Sequence, residues 1–164
     1  MKRAEIYFIE DNKEINIPSF NKDIIMTSGG YDPIHPGHIS YLIDAKNKAN
    51  EFGENIHVAV VNGDWFLSQK KGKPFIPLND RCEIVSALYC VDIVIGLNII
   101  NDMTVNKALK IIKPKYFAKG GDRTNIENIP EWQTCQELGI KILTEIGLGK
   151  KWSSSDYLSK WKNL

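Results

Sequence analysis

Two imidazoles three residues apart, His35 and His38, lie in the window Thr27-Ser28-Gly29-Gly30-Tyr31-Asp32-Pro33-Ile34-His35-Pro36-Gly37-His38. Both can point at one phosphoryl group and donate to oxygens that gain charge during displacement at phosphorus. Gly29, Gly30 and Gly37 let backbone approach such an anion closely. A second group able to act on phosphate is the run Lys70-Lys71-Gly72-Lys73: an ammonium beside a pentacovalent transition state lowers its barrier as a point charge. A third is Ser153-Ser154-Ser155, whose hydroxyls precede apolar Tyr157, Leu158 and Trp161 at helical spacing. Any of these groups taken alone has a plain reading, as surface histidines, solvated lysines or an N-cap.

The elements around them decide between the readings. Asp23 to Thr27 reads as a short buried strand, and Ile39, Leu42, Ile43 and Ala49 recur at helical spacing, so Gly37-His38 opens a helix. Helix starts carry unpaired N–H groups at the positive end of the dipole and hold anions. Ile56 to Val61 is a second strand, and Leu78-Asn79-Asp80 offers an N-cap to a helix through Ile84, Val85 and Leu88. A strand at Val91 to Ile95 follows. Thr104 caps a helix that Pro114 terminates, and Tyr116 to Ala118 is a strand. Glu131 to Leu138 reads as a helix stopped by Gly139, and Ile140 to Thr144 as the last strand. Strands alternating with helices predict an α/β fold with a parallel sheet and helices on both faces, binding its ligand beyond the carboxyl ends of the strands.

The His-Pro-Gly-His window resembles the HxGH signature of the nucleotidyltransferase superfamily. Three further motifs extend the resemblance: Lys70 to Arg81, which ends Pro77-Leu78-Asn79-Asp80-Arg81, then Lys119-Gly120-Gly121-Asp122, and Trp152-Ser153-Ser154-Ser155. In order and spacing they are similar to the adenylyltransferase domain of bacterial ADP-heptose synthase and, more distantly, to glycerol-3-phosphate cytidylyltransferase, from about Lys22 onward. The resemblance implies a Rossmann-like doubly wound sheet and transfer of a nucleotidyl group from an NTP, with Mg²⁺, to an acceptor phosphate of the heptose 1-phosphate kind. It implies catalytic roles for His35, His38 and one of Lys70 and Lys71; alignment toward the cytidylyltransferases selects Lys70 and toward the heptose enzymes Lys71. It places nucleotide contacts at Thr27, Gly29, Gly30, Tyr31, Gly37, Lys119, Gly120, Gly121, Asp122, Ser153, Ser154 and Ser155. Arg81 either touches substrate or supports a helix start, and Asp32 or Asp122 can meet the metal through water; no dedicated protein metal site is expected.

The choice of nucleotide is read from two differences, the first being that the Gly-Asp-Asp-Trp segment of the glycerol-phosphate cytidylyltransferases is here Lys119-Gly120-Gly121-Asp122, the form of the ADP-heptose enzymes. Glycerol-phosphate cytidylyltransferases carry an arginine four residues before the position of Trp152, where this chain has Leu148, so ATP is expected over CTP unless Lys150 or Lys151 fills that space. A cytidylyltransferase for a polyol or aminoalcohol phosphate is the first rival. A nicotinate-mononucleotide-type adenylyltransferase and a nucleotide-binding regulator without turnover are the others.

Bulk properties fit a small enzyme. The 164 residues carry 21 Lys and Arg against 20 Asp and Glu, a balance that provides no global field for nucleic acid or an acidic membrane. A chain of this size hides roughly 70% of its unfolded surface. There is no apolar run of membrane-spanning length and no signal-peptide core, so the cytoplasm is expected. Cys82, Cys90 and Cys135 show no metal spacing and read as buried reduced thiols. His57 reads as structural. Residues 1–21 stand outside the family pattern as an extension to the domain at 22–164; Ile6 and Phe8, then Ile15 and Ile17, flank Asp11-Asn12-Lys13 and predict a hairpin against the sheet edge, with a homodimer contact or a role in acceptor choice as alternatives.

Overall fold

The computed structural model describes residues 2–121, 125–149 and 151–163. Six parallel strands form one sheet: β1 (Glu5–Glu10), β2 (Ile24–Gly29), β3 (Ile56–Asn62), β4 (Ile93–Asn98), β5 (Tyr116–Gly120) and β6 (Lys141–Ile146), in the order β1-β4-β3-β2-β5-β6. Between them run α1 (Pro36–Glu51), α2 (Asp64–Lys71), α3 (Leu78–Ser86), α4 (Asn106–Ile112) and α5 (Trp132–Leu138), and α6 (Ser154–Lys162) follows β6. The central strands are apolar on both faces, as crossover helices require: Val58, Val60 and Met26 pack into one core with Leu109 and Cys135, while Ala59, Val61 and Ile25 pack into the other with Leu42 and Cys82. The sheet is thus doubly wound, as expected from the alternation. All three cysteines are buried and free, and burial pushes the Cys82 thiol up to about 12.

Chain order reverses at β2, with β3 and β4 on one side and β5 and β6 on the other. Pairing of β2 with β5 covers Ile25↔Tyr116 and Met26↔Phe117 and then stops, although β2 continues to Gly29 and β5 to Gly120. The strands splay there, opening the crevice that this topology offers to ligands. A side chain bridges the split: the Tyr41 hydroxyl donates to Ala118 O at 2.7 Å and accepts from Ser28 N–H at 3.2 Å.

Three expectations change, the first at α4, whose cap position is Val105 rather than Thr104. The N-terminal segment turns at Asn12 (φ 57°) but forms no hairpin; β1 adds to the sheet in parallel beside β4, Glu5↔Ile93 through Glu10↔Asn98. A parallel β1 ends at the opposite edge from where β2 begins, and β2 lies three strand spacings, about 14 Å, away. The intervening chain must therefore run back along the sheet, and it packs Ile17 and Phe20 against the β4–α4 core instead of pairing with the edge. The helix expected to be capped near Asn79 starts at Leu78 with Pro77 at the cap position and no side-chain cap. The fixed φ of Pro77 suits a helix entry.

His57 is structural, as its sequence context suggests. Its Nδ1 lies 2.6 Å from Cys90 O and its Nε2 2.9 Å from Thr27 Oγ1. A carbonyl can only accept, so Nδ1 carries the proton and Nε2 accepts from the hydroxyl. Burial holds its pKa down to about 4, against opposing contributions from Cys90 and Asp92. Between pH 6.5 and 4 the unfolded chain binds a proton here that the folded chain refuses, so stability falls as pH falls through that window. From pH 7 to 5 this residue should remove about 2 kcal/mol. Urea midpoints should show His57→Gln less stable than wild type at pH 7 with the gap narrowing by pH 5; a constant gap would contradict the assignment.

Candidate active site

Beyond the β2 end, His35 is the N-cap of α1, with extended backbone (φ −148°, ψ 169°), and Pro36 opens the first turn. The His35 Nδ1 accepts from His38 N–H at 3.4 Å, which leaves the proton of neutral His35 on Nε2. The two rings stack with centroids 3.7 Å apart and planes 18° apart. Gly37 permits this: a Cβ there would lie 3.1 Å from two His35 ring atoms. The glycine thus makes room for the imidazole. Burial, then repulsion from His35, Lys70 and Lys71, lowers the His38 pKa to about 3, and burial lowers that of His35. Both rings are neutral near pH 7, and each carries one N–H. His38 Nδ1 is buried with no hydrogen-bond partner among the described residues, an atom that a phosphate oxygen or a water would satisfy.

The lysines separate. Lys71 Nζ is 2.6 Å from Asp32 Oδ2, with side chains only 14% and 1% exposed, and also donates to Asp32 O. Asp32 in turn accepts from Phe75 N–H and Ile76 N–H at 2.8 and 2.7 Å. Lys71 is therefore occupied in fixing the loop between α2 and α3. Lys70 lines the cleft that holds His35 and His38.

That cleft measures about 550 Å³. Its floor is Ser28, Gly29 and Gly30; Lys119, Gly120 and Gly121 flank it from β5, and Leu148, Lys151 and Trp152 from the segment after β6. The last segment is pinned to α1 by Gly147 N–H to Asp44 Oδ2 at 2.8 Å and Leu148 N–H to Ser40 Oγ at 3.0 Å. Gly147 has φ +83°, and a Cβ would lie 2.7 Å from Tyr41 Cα, so a side chain has no room at this crossing.

Several expected contacts lie outside the wall of this cleft. Thr27 is fully buried and bonded to His57. Tyr31, 2% exposed, stands edge-on to His38 with centroids 5.1 Å apart; it supports the ring from behind. Ser153 caps α6 by accepting from Asp156 N–H, Ser154 donates to Pro33 O at 2.9 Å, and Ser155 borders a separate groove beside Lys71 and Phe75. The helix start still approaches the histidines, with the Tyr157 ring 6.2 Å from that of His35. Asp122 and Lys150 lie outside the described residues. Arg81 is completely buried and donates to Ile76 O, Gly30 O and Asn62 O and to Asp64 Oδ1 at 2.6–2.8 Å; its role is support, with no place on the cleft wall. Residues unforeseen from the motifs also line the cleft, among them Tyr41, Phe66, Met103 and Glu131. They come from separate elements and carry no local spacing signal.

Residues 26–155 match the family model described as Cytidylyltransferase-like, and the chain belongs to that family. It is 36% identical over 122 residues to the Bifunctional protein HldE of a Nitratiruptor species, covering 70% of this chain and 25% of that protein. To the Bifunctional protein HldE of Blochmanniella floridana it is 41% identical over 108 residues, 65% of this chain and 21% of that one. The chain thus spans about a quarter of the length of these curated relatives. A solved structure, the lipopolysaccharide core biosynthesis protein from Thermoplasma volcanium GSS1, is similar with a TM-score of 0.61 and 27% identity, over 78% of this chain and 99% of that one.

The two lysines should respond differently to removal. Lys71→Met strands the buried Asp32 carboxylate and should cost roughly 3 kcal/mol of stability, read as a lowered urea midpoint. Lys70→Met should leave the midpoint within about 0.5 kcal/mol, as surface substitutions do. Equal losses would show that the lysines share one role.

Proposed function

We propose that this protein is a nucleotidyltransferase that moves the nucleotidyl group of an NTP, ATP in preference to CTP, to a sugar phosphate of the heptose 1-phosphate kind. The observation that carries the reading is the stacked, neutral His35–His38 pair at the α1 start, in one cleft with Lys70. A phosphate oxygen of the acceptor attacks the α-phosphorus, the bond from that phosphorus to the bridging oxygen breaks, and pyrophosphate leaves with the electron pair. No protein nucleophile is consumed. His35 Nε2–H and the His38 ring donate to oxygens whose charge grows in the transition state, the α1 N–H groups add their dipole, and Lys70 supplies a full charge.

Mg²⁺ belongs to the substrate in this scheme. Mg²⁺ characteristically keeps several waters and binds through substrate phosphates with one or two carboxylates at most, so the scheme asks for no dedicated protein cage. The preference for ATP is supported by the similarity to HldE proteins; Leu148 stands on the cleft wall where the cytidylyltransferases carry arginine, with Lys151 on the same wall.

With Mg²⁺, ATP and a panel of phosphorylated acceptors, the protein should release pyrophosphate, and kcat/KM should favour ATP over CTP with any acceptor that works. His38→Ala should lower kcat by roughly 10²–10³, the loss of one preorganised donor, with a smaller change in nucleotide affinity. A clear advantage for CTP would move the reading to a polyol- or aminoalcohol-phosphate cytidylyltransferase. Tight nucleotide binding without pyrophosphate from any acceptor would make the protein a nucleotide-binding regulator.

A further inference from the structure

Glu131 stands in the cleft as a group that phosphate chemistry does not explain. It is the one carboxylate among the described residues lining a wall that otherwise offers cations, Lys70, Lys119 and Lys151, and neutral imidazoles. An ionised carboxylate offers acceptors only, so even with Lys119 paired to it the part of a ligand that meets Glu131 is a hydrogen-bond donor rather than a phosphate. The residue is only 4% exposed. One oxygen accepts from Val105 N–H at 3.2 Å and the other lies 3.5 Å from Lys119 Nζ. An ionised carboxylate has about four acceptor sites, and these two partners leave sites for further donors.

Its position matches that duty. The imidazoles lie at the start of α1, a helix of the core that contains Leu42. Glu131 is set at the start of α5 and bonded to the residue preceding α4, on the opposite face, whose core holds Leu109 and Cys135. Besides Lys119, which pairs with the carboxylate, the lining of the same cleft includes apolar Met103, Val105 and Pro130. An apolar surface under a hydroxyl-accepting carboxylate suits a sugar ring, whose C–H face and O–H edge need both.

We infer that Glu131 accepts hydrogen bonds from sugar hydroxyls, making the α4–α5 wall of the cleft a polyol subsite facing the phosphate end at His35, His38 and Lys70. This rests on the nucleotidyl-transfer reading and deepens it. Two sources share the chemistry: the ribose of the nucleotide and the sugar of the acceptor.

Calorimetric titration of wild type and Glu131→Gln separates them. One series uses ATP, 2′-deoxy-ATP and 3′-deoxy-ATP; the other uses mannose 1-phosphate and inorganic phosphate on the complex with a non-hydrolysable ATP analogue. Glutamine keeps an oxygen for Val105 N–H. Should that variant fail to fold, Glu131→Asp, which withdraws the charge by one methylene, takes its place. Wild type should prefer the hydroxylated ligand about 10-fold or more in one series, the scale of a hydrogen bond to a charged group. The variant should reduce that preference to about 2-fold or less while binding inorganic phosphate unchanged. A contrast in the ATP series assigns the ribose, and one in the second series the acceptor sugar. Equal binding of hydroxylated and stripped ligands by wild type in both series, or a preference that the variant retains, overturns the subsite. It would do so even if pyrophosphate is released normally. Absence of pyrophosphate with a subsite preference intact sinks only the transfer reading, and no binding of any of these ligands overturns both.

Discussion

The guanidinium of Arg81 is the point on which the site's geometry hangs. Fully buried, it ties Gly30 O, just after β2, and Asn62 O, at the end of β3, to Ile76 O in the loop after α2 and to the Asp64 carboxylate at the α2 start. A buried charge left without partners is costly, so the segments must meet around it or the fold bears the desolvation penalty. The planar fork of donors fixes directions as well as distances. Asp32 repeats the device with opposite sign, holding Lys71 and the Phe75 and Ile76 amides. Together they set the α2–α3 loop against the turn that carries the histidines, and with it the adjacent Lys70.

On the other side of β2 the constraint is a gap. Ladder bonds to β5 end at Met26 and Phe117, and the Tyr41 hydroxyl bridges the separating strands through Ser28 N–H and Ala118 O. The cleft exists because the sheet divides there, and it keeps its width because α1 supplies a phenol in place of a ladder bond. The same helix presents His35 and His38 at its start and anchors the loop after β6 through Ser40 and Asp44. Three walls of one pocket therefore share a single rigid element, which is how a cleft built largely of loops can hold two imidazoles in stacked register.

The doubly wound sheet was legible from local signals, since apolar runs, caps and Gly or Pro stops occur in regular succession; α5 ends at Gly139 (φ 67°) and α6 is capped by Ser153 as the residues suggest. The histidine window was legible because its residues are adjacent in sequence. Glu131 and Tyr41 were not, because each acts through partners far away in the chain, Tyr41 with Ala118 and Glu131 with Val105. The division of labour between Lys70 and Lys71 depends on Asp32, 39 residues from Lys71, and no spacing rule reaches that far. The hairpin expected at the N-terminus failed for a related reason. Alternation at Ile15 and Ile17 signals a strand, but the path back to the sheet centre has no neighbouring strand to pair with, and burial of Ile17 and Phe20 takes precedence.

A neutral imidazole near an α-phosphorus can in principle attack it, so the assignment of His35 and His38 as donors has a direct test in stereochemistry. Turnover of ATP carrying a chiral α-phosphorothioate, with any acceptor that the protein uses, should proceed with inversion at phosphorus, the outcome of a single in-line displacement. Retention would require two displacements through a nucleotidyl-protein intermediate, and would contradict the donor role of the stacked pair.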